Sequence, residues 1–343
     1  MDDIKQIKIN ELPSPTYRWL KMNDTATEIK SGFLPIKADM NVPSGISASI
    51  VPYEKSADIA TGMGKEYSKL FLEDNTPTKK MSVSGRVGEP VIVESIVSDG
   101  GCAGLLDIKV NEKSAATFIM QIKGEGEGTF FGQTKIDIKK GGSLTLVQIQ
   151  SGTKGDFFND IGVIQNEGSH FKLVQLFLDG NKTYSGLRTL LLGDLSSFEA
   201  DIAYRQSGSA LLDMNYVADH LGKKTTSRMD VKGVLKESAM KLFRGTIDFK
   251  NGAKGAKGDE IEEVLLLDEG VRNRTVPLIL CAEEDVEGNH GATIGKISDD
   301  ELFYMESRGL SKDVIYEMMS KAKIDSVIKL IPDEEIRKGL SDI

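Results

Sequence analysis

One texture fills the middle of this sequence and restricts what it can become. From about Met81, short stretches alternate apolar and polar residues, as in "VIVESIV", "TFIMQIKG", "SLTLVQIQ", "FKLVQLFLDG" and "FEADIAYRQ". Alternation with a period of two marks strands that bury one face. The corners between them ("DGG", "GEGEG", "KKGGS", "QNEGS") use residues that supply the positive φ of tight turns. Between Ser143 and Phe243 strand starts recur roughly every 12 to 17 residues, so two strands make a unit of about 27. Propeller blades need a longer four-strand unit with an aromatic signature that is absent, and a sandwich usually ends below this number of strands. A flattened, right-handed parallel β-helix remains, in which each coil buries its inward residues on its neighbours and only the ends need caps. The expected fold is therefore mainly β: a solenoid core over 81–297, a short irregular and helical region over 1–80, and a helical subdomain over 298–343.

The termini supply the caps. "ELPSPTYRWLKMN" opens with two prolines that block a helix, and Tyr17, Trp19, Leu20 and Met22 offer apolar surface for docking. "SADIATGMGKEYSKLFLED" has weak helical spacing through Ile59, Met63, Tyr67, Leu70 and Phe71, weakened further by its glycines. After Ile297 helical spacing takes over. Ser298 and Glu301 make a capping box ahead of Leu302 and Phe303, and Gly309 is placed to end that helix. Ser311 can cap a second, with an apolar face of Val314, Ile315, Met318 and Met319; Pro332 stops a third piece, "DSVIKLI".

Charge and composition exclude several functions. Acidic residues outnumber basic ones by 52 to 43 without a basic stripe, which opposes nucleic-acid binding. No apolar run is long enough to span a membrane, "MDDIKQIKIN" lacks a signal-peptide layout, and two cysteines are too few for a disulfide framework. A cytoplasmic location is expected. Aromatic content is 6%, with Trp19 the only tryptophan, which counts against a sugar-binding groove.

No P-loop, nucleophile elbow or H-E-x-x-H motif occurs. "GEGEGTFFG" lacks the dinucleotide spacing and reads as a solenoid corner. Cys281, on the alternating run "VPLILCAEEDV", reads as a small buried apolar residue, and Cys102, beside a corner, as the more exposed thiol. A β-helix carbohydrate-active enzyme would need paired carboxylates, and "DFFND" (Asp156 to Asp160) is the place to look. Of three histidines, His170 follows a glycine corner and His220 ends a strand. His290 stands between Gly288 and Gly291 in "DVEGNHGATIGKIS", which reads as a turn. A turn side chain meets solvent or a partner, and a neutral imidazole is a ready iron or zinc ligand. The residues alone leave open a surface histidine and a metal ligand.

Two blocks carry a resemblance. "HGATIGKISDDELFYMESRGLSKDVIYEMM" and "HLGKKTTSRMDVKGVLKESAMKLFRGTI" resemble the C-terminal signatures of the SufB/SufD family, scaffolds of iron–sulfur cluster assembly. The likeness covers residues 80–343 and is most specific after His220. It implies a non-enzymatic scaffold with a parallel β-helix and terminal helices. It further implies a SufC-type ABC ATPase docked on the C-terminal helices, through Leu302, Phe303, Tyr304, Arg308, Ile315 and Met318. A SufB-like chain, or a second copy, would pair with the β-helix. In the family the nascent cluster lies at that junction, between a SufB cysteine and the SufD histidine of the "HGAT" motif, which is His290 here. SufB-like chains tend to have glutamate after this histidine, and this chain has Gly291. The SufB-type cysteine is missing from "DEIEEVLLLDEG", and Gly288 stands where SufD-like chains often place a cysteine. The resemblance is thus to the SufD type. It implies no cofactor held tightly by this chain alone, only transient iron or an iron–sulfur cluster in the complex.

Overall fold

The computed structural model describes residues 4–30, 32–152 and 154–341. Among them, sixteen strands from Pro77–Val83 to Val286–Gly295 wind into eight coils of two strands each. Alternate strands stack in parallel, building two facing sheets; one ends with Arg272–Cys281 and the other with Val286–Gly295. Phe130 pairs with Phe157, Phe157 with Thr183 and Lys241 with Asn273, giving coil lengths of 27, 26 and 32 residues. The parallel solenoid inferred from the repeat is observed.

Inward residues form one continuous core between the sheets. Phe171 and Phe198, one coil apart, stack with ring centroids 5.7 Å apart. Burying each such ring contributes about 2–3 kcal/mol. Polar residues also point inward, and several pair with one another, as burial of an amide favours. Gln148 and Asn159 exchange hydrogen bonds of 3.2 and 2.8 Å, and Gln175 donates to Gln148 at 2.7 Å.

The first 80 residues are more ordered than their prolines suggest. Ala38–Met40 and Ile46–Pro52 add antiparallel to the first strand of each sheet and close that end of the solenoid. Helix α1 spans Lys65–Glu73 and buries Tyr67, Leu70 and Phe71. It begins only after Gly64, whose φ of 93° breaks the helical path, so Ile59 and Met63 are buried from extended chain instead. That extended stretch crosses the ten-stranded sheet, with Gly62 N donating to Ile161 O at 3.2 Å. A Cβ on Gly62 would lie 2.0 Å from Leu187 N, so only glycine passes there.

A hairpin of Ile4–Ile9 and Thr25–Lys30 continues over the same sheet to its last strands. Arg244, fully buried, donates to Met22 O at 2.7 Å, Asp213 Oδ1 at 2.6 Å and Thr25 Oγ1 at 2.9 Å. Met22 and Tyr17 pack with Leu12 on Leu242, Val276 and Leu278. Trp19 and Leu20, expected to dock with them, stay 99% and 60% exposed, because the loop turns its apex outward.

Three helices follow the coils: α2 (Asp299–Ser307), α3 (Lys312–Ile328) and α4 (Glu334–Ser341). The Ser298–Glu301 capping box forms, Gly309 ends α2 at φ 90°, and Ser311 caps α3. "DSVIKLI" is not a separate helix. Nothing between Lys312 and Ile328 breaks the turn, so its first residues complete α3. Ile324, Val327 and Ile328 then pack on Val147, Ile149, Val174, Leu176 and Ala203, the outer face of the nine-stranded sheet.

Candidate functional site

One end of the solenoid is closed by antiparallel strands; the other is not. Among the described residues, Arg272–Cys281 and Val286–Gly295 each pair on one side only, so the last coil exposes two strand edges. His290 lies within Val286–Gly295, not on the turn expected from its flanking glycines. Gly288 and Gly291 occupy ordinary strand positions, in register with Gly258 and Ile261.

Register fixes where His290 points. In Ala256–Leu266 every second residue is buried in the lumen, Ala256, Gly258, Glu260, Glu262 and Val264, while Leu265 is buried on the outer face beside Tyr316. The partners of the lumen residues one coil on are Val286, Gly288, His290, Ala292 and Ile294. His290 therefore stands over Glu260 on the lumen side, and is exposed because no further coil covers it. Gly288 shares that orientation: a Cβ there would meet the Phe249 ring at 2.9 Å. The space beside Gly288 is thus filled by the edge of the Phe249 ring.

Beneath the mouth lies a charged group that the sequence reading missed. Lys241 and Glu262, both essentially fully buried, form an ion pair bridged by Thr275, whose hydroxyl donates to Glu262 Oε2 at 2.6 Å and accepts from Lys241 Nζ at 3.0 Å. Burial and then the neighbouring Glu262 push the Glu260 carboxyl up to about 8, so it is largely protonated at neutral pH. Burial pushes Lys241 down, with Glu262 opposing it. Glu260 and Glu262 sit on the inward parity of "KGDEIEEVLL", a signal that the alternation itself contained.

The two cysteines exchange their expected roles. Cys281 ends the opposite edge strand and is exposed, its Sγ donating to Glu283 O at 3.0 Å. It escapes burial because the last coil has no neighbour. Cys102 packs among Val97, Ile122, Phe130 and Phe157, and burial pushes its thiol up to about 11, far from a thiolate at neutral pH. His220 is fully buried with both ring nitrogens engaged, Nδ1 to Thr225 Oγ1 at 2.7 Å and Nε2 to Ser227 Oγ at 2.8 Å. Burial lowers it to about 4, so it is a neutral structural residue. His170 Nδ1 meets Ser197 Oγ at 2.8 Å.

Asp156 and Asp160 make no paired-carboxylate cleft. Asp160 is fully buried beneath the crossing segment, accepting from Met63 N at 2.8 Å and Gln133 Nε2 at 2.9 Å. Among the described residues no three His, Cys, Asp or Glu converge on a metal position. None of the described helices is long and apolar enough to cross a membrane.

The helices present a separate surface. Phe303 and Tyr304 on α2 are 73% and 59% exposed, Arg308 lies over the Tyr304 ring at 5.2 Å, and Met318 on α3 is 56% exposed. Leu302 is half-buried. Ile315, expected on this surface, is fully buried instead, because the face of α3 that carries it is the one turned to the coils. Beside Met318 a groove of 590 Å³ runs between α3 and the strand ends, lined by Leu178, Asp179, Arg205 and Val234.

A two-sheeted parallel solenoid, with strand edges exposed at one end and helices at its flank, is the class of domain this chain forms. The chain belongs to the SufB/SufD family: residues 96–323 match the SufBD core domain of the SUF system for FeS cluster assembly. It is SufD-like, being 25% identical over 241 residues to the iron-sulfur cluster assembly protein SufD of Bacillus subtilis, across 68% of this chain and 51% of that protein. It is also 29% identical over 138 residues to an iron-sulfur cluster assembly SufBD family protein of Mycobacterium bovis, across 40% of this chain and 16% of that one. Bacillus subtilis SufB matches at 29% over 115 residues, 34% of this chain and 25% of SufB. The chain thus spans about half the length of the SufD relative.

Proposed function

We propose that this chain is a non-enzymatic, SufD-like scaffold subunit that works in the cytoplasm. It binds a SufC-type ABC ATPase through α2 and α3, and a SufB-like partner through its open coil. The observation that carries the reading is His290: an exposed imidazole on an edge strand, where no group of three His, Cys, Asp or Glu gathers among the described residues. A lone imidazole holds iron weakly, so ligands from a second polypeptide must complete the set around the cargo, iron or a nascent cluster. The flanking Gly291 and Ala292 keep the edge narrow enough for a partner backbone to approach. Unpaired backbone groups on such an edge invite strand addition. Phe303, Tyr304 and Met318 supply the apolar anchor that a docking surface needs, apart from the cargo position.

Co-expression with the neighbouring genes and purification on a tag tests the partners; an ABC-type ATPase and a SufB-like chain are expected, and recovery of neither overturns the reading. His290→Ala should leave the complex intact while lowering its iron and sulfide content. Unchanged content would assign the histidine no part in holding cargo.

A further inference from the structure

The chain's only tryptophan is also the most exposed large apolar side chain among the described residues, and it sits on a held loop rather than a loose one. Leu12 N donates to Asn23 O at 2.7 Å and closes the loop at its base. Tyr17 N donates to Asn23 Oδ1 at 2.8 Å. Lys21 N reaches Arg18 O at 3.1 Å, folding Arg18, Trp19, Leu20 and Lys21 into a tight turn. The base is pinned by Leu12, Tyr17 and Met22 on Leu242, Val276 and Leu278, and by Arg244 on Met22 O. Val276 and Leu278 belong to the edge strand of the open coil, so the turn stands at the rim of that coil.

Charge singles out the same place. Arg18 and Lys21 on the turn, and Arg272 and Arg274 on the edge strand, are all exposed. None of the four makes a side-chain hydrogen bond or ion pair with the described residues. Arg274 is in register with Leu242, which the loop covers, so the cations and the indole share one surface. In a chain of net charge −9, these are four exposed cations without a side-chain partner among the described residues.

The two edges of the last coil are also unequal. Arg272 N donates to Ala239 O and Ala282 N to Phe249 O, so even-numbered nitrogens of this stretch face the neighbouring strand. Odd-numbered ones, including that of Pro277, face the open side, where proline has no N–H to offer. This edge cannot extend its ladder through its centre. Val286–Gly295 contains neither proline nor lysine. Backbone pairing thus suits one edge, and side-chain recognition is left to the other.

We propose that Arg18, Trp19, Lys21 and Arg274 form a recognition rim that takes an acidic surface of the SufB-like partner, carboxylates meeting the cations while the indole enters an apolar recess between them. The inference rests on the reading that the open coil is where that partner docks. Tryptophan and arginine dominate binding hot spots, and a turn already held in shape loses little freedom on association. A nucleic acid is the other polyanion such a patch could meet, but four cations on one turn and one strand do not make the extended basic stripe that follows a phosphate backbone.

The test uses the full chain and the SufB-like chain of the same genome, with Trp19 emission and affinity as readouts. Binding should shift Trp19 emission to shorter wavelength. Trp19→Ala should weaken association at least about 30-fold, the equivalent of a 2 kcal/mol hot spot. The double reversal Arg18→Glu/Lys21→Glu should weaken it about tenfold or more and flatten its salt dependence. All three positions are exposed, so folding is not at stake. Ala292→Pro tests the other edge: Lys257 N donates to Thr225 O, which leaves the even-numbered nitrogens of Val286–Gly295 facing outward. If wild-type chains do not associate, or Ala292→Pro leaves association unchanged, the reading of the open coil falls and the rim with it. If Ala292→Pro abolishes association while the rim variants bind as wild type with unshifted emission, the rim alone is wrong. An emission shift with a single-stranded oligonucleotide but not with the partner would also overturn it.

Discussion

Lys241→Met tests the buried charge group under the open coil. Lys241 is 0% and Glu262 1% exposed, so neither charge has water to fall back on. Removing the ammonium leaves Glu262 with only the Thr275 hydroxyl, beside a Glu260 that burial already keeps largely neutral. Breaking a buried pair on one side typically costs about 3–5 kcal/mol, because the orphaned charge must be protonated or hydrated. The methionine restores some packing volume, so a loss of about 3 kcal/mol at neutral pH is expected. The charge-balanced double variant Lys241→Met/Glu262→Leu removes both desolvation costs and should come back to within about 1 kcal/mol of wild type. Urea unfolding followed by circular dichroism reads both, through midpoint shifts at constant slope. A single variant costing under about 1 kcal/mol, or a double variant no better than the single, would show that the pair is not the electrostatic unit its geometry describes.

Asp160 should give the protein a pH signature: burial raises it from 3.8 to about 6, so the folded state binds its proton more readily than the unfolded chain. Its contribution is then fully present below pH about 4 and is lost as pH rises through about 6, a change of about 3 kcal/mol that Asp160→Asn should flatten in a plot of unfolding midpoint against pH. Thiol labelling of the native chain should modify Cys281 rapidly and the half-buried Cys102, whose thiol is pushed up by burial, more slowly, so Cys281→Ser removes the fast phase. Gly288→Cys should destabilise the last coil by about 1–3 kcal/mol through its clash with Phe249, and Phe249→Leu in the same chain should relieve part of that loss in thermal melts.

The solenoid was legible because its signal is periodic: strands such as "SLTLVQIQ" and "FKLVQLFLDG" alternate cleanly, and their spacing sets the coil. Helix caps were legible for the same local reason, Ser298 with Glu301 and Ser311 acting within one turn. What failed was non-local. Nothing next to Cys281 in sequence says that its strand is the last one, and that absence of a neighbour is what exposes it. His290 looked like a corner residue because glycines flank it, yet those glycines lie in a strand whose register is set by Ala256–Leu266. Ile315 and Met318 look equivalent on the helical pattern of α3, and only the docking of Ile324 and Ile328 on the sheet decides which faces inward. Arg244 and Asp213 carry no local mark of burial, since the hairpin that covers them lies some two hundred residues earlier.

That hairpin changes how the whole molecule should come apart. A stack of coils touching only their neighbours ordinarily loses structure from an end, one repeat at a time. Here the segment that helps close the first coils runs on to grip Asp213 and Arg244 near the last ones, like a cord tied at both ends of a roll. Chains lacking residues 1–30 should therefore melt gradually from the exposed end, where the intact chain lets go all at once.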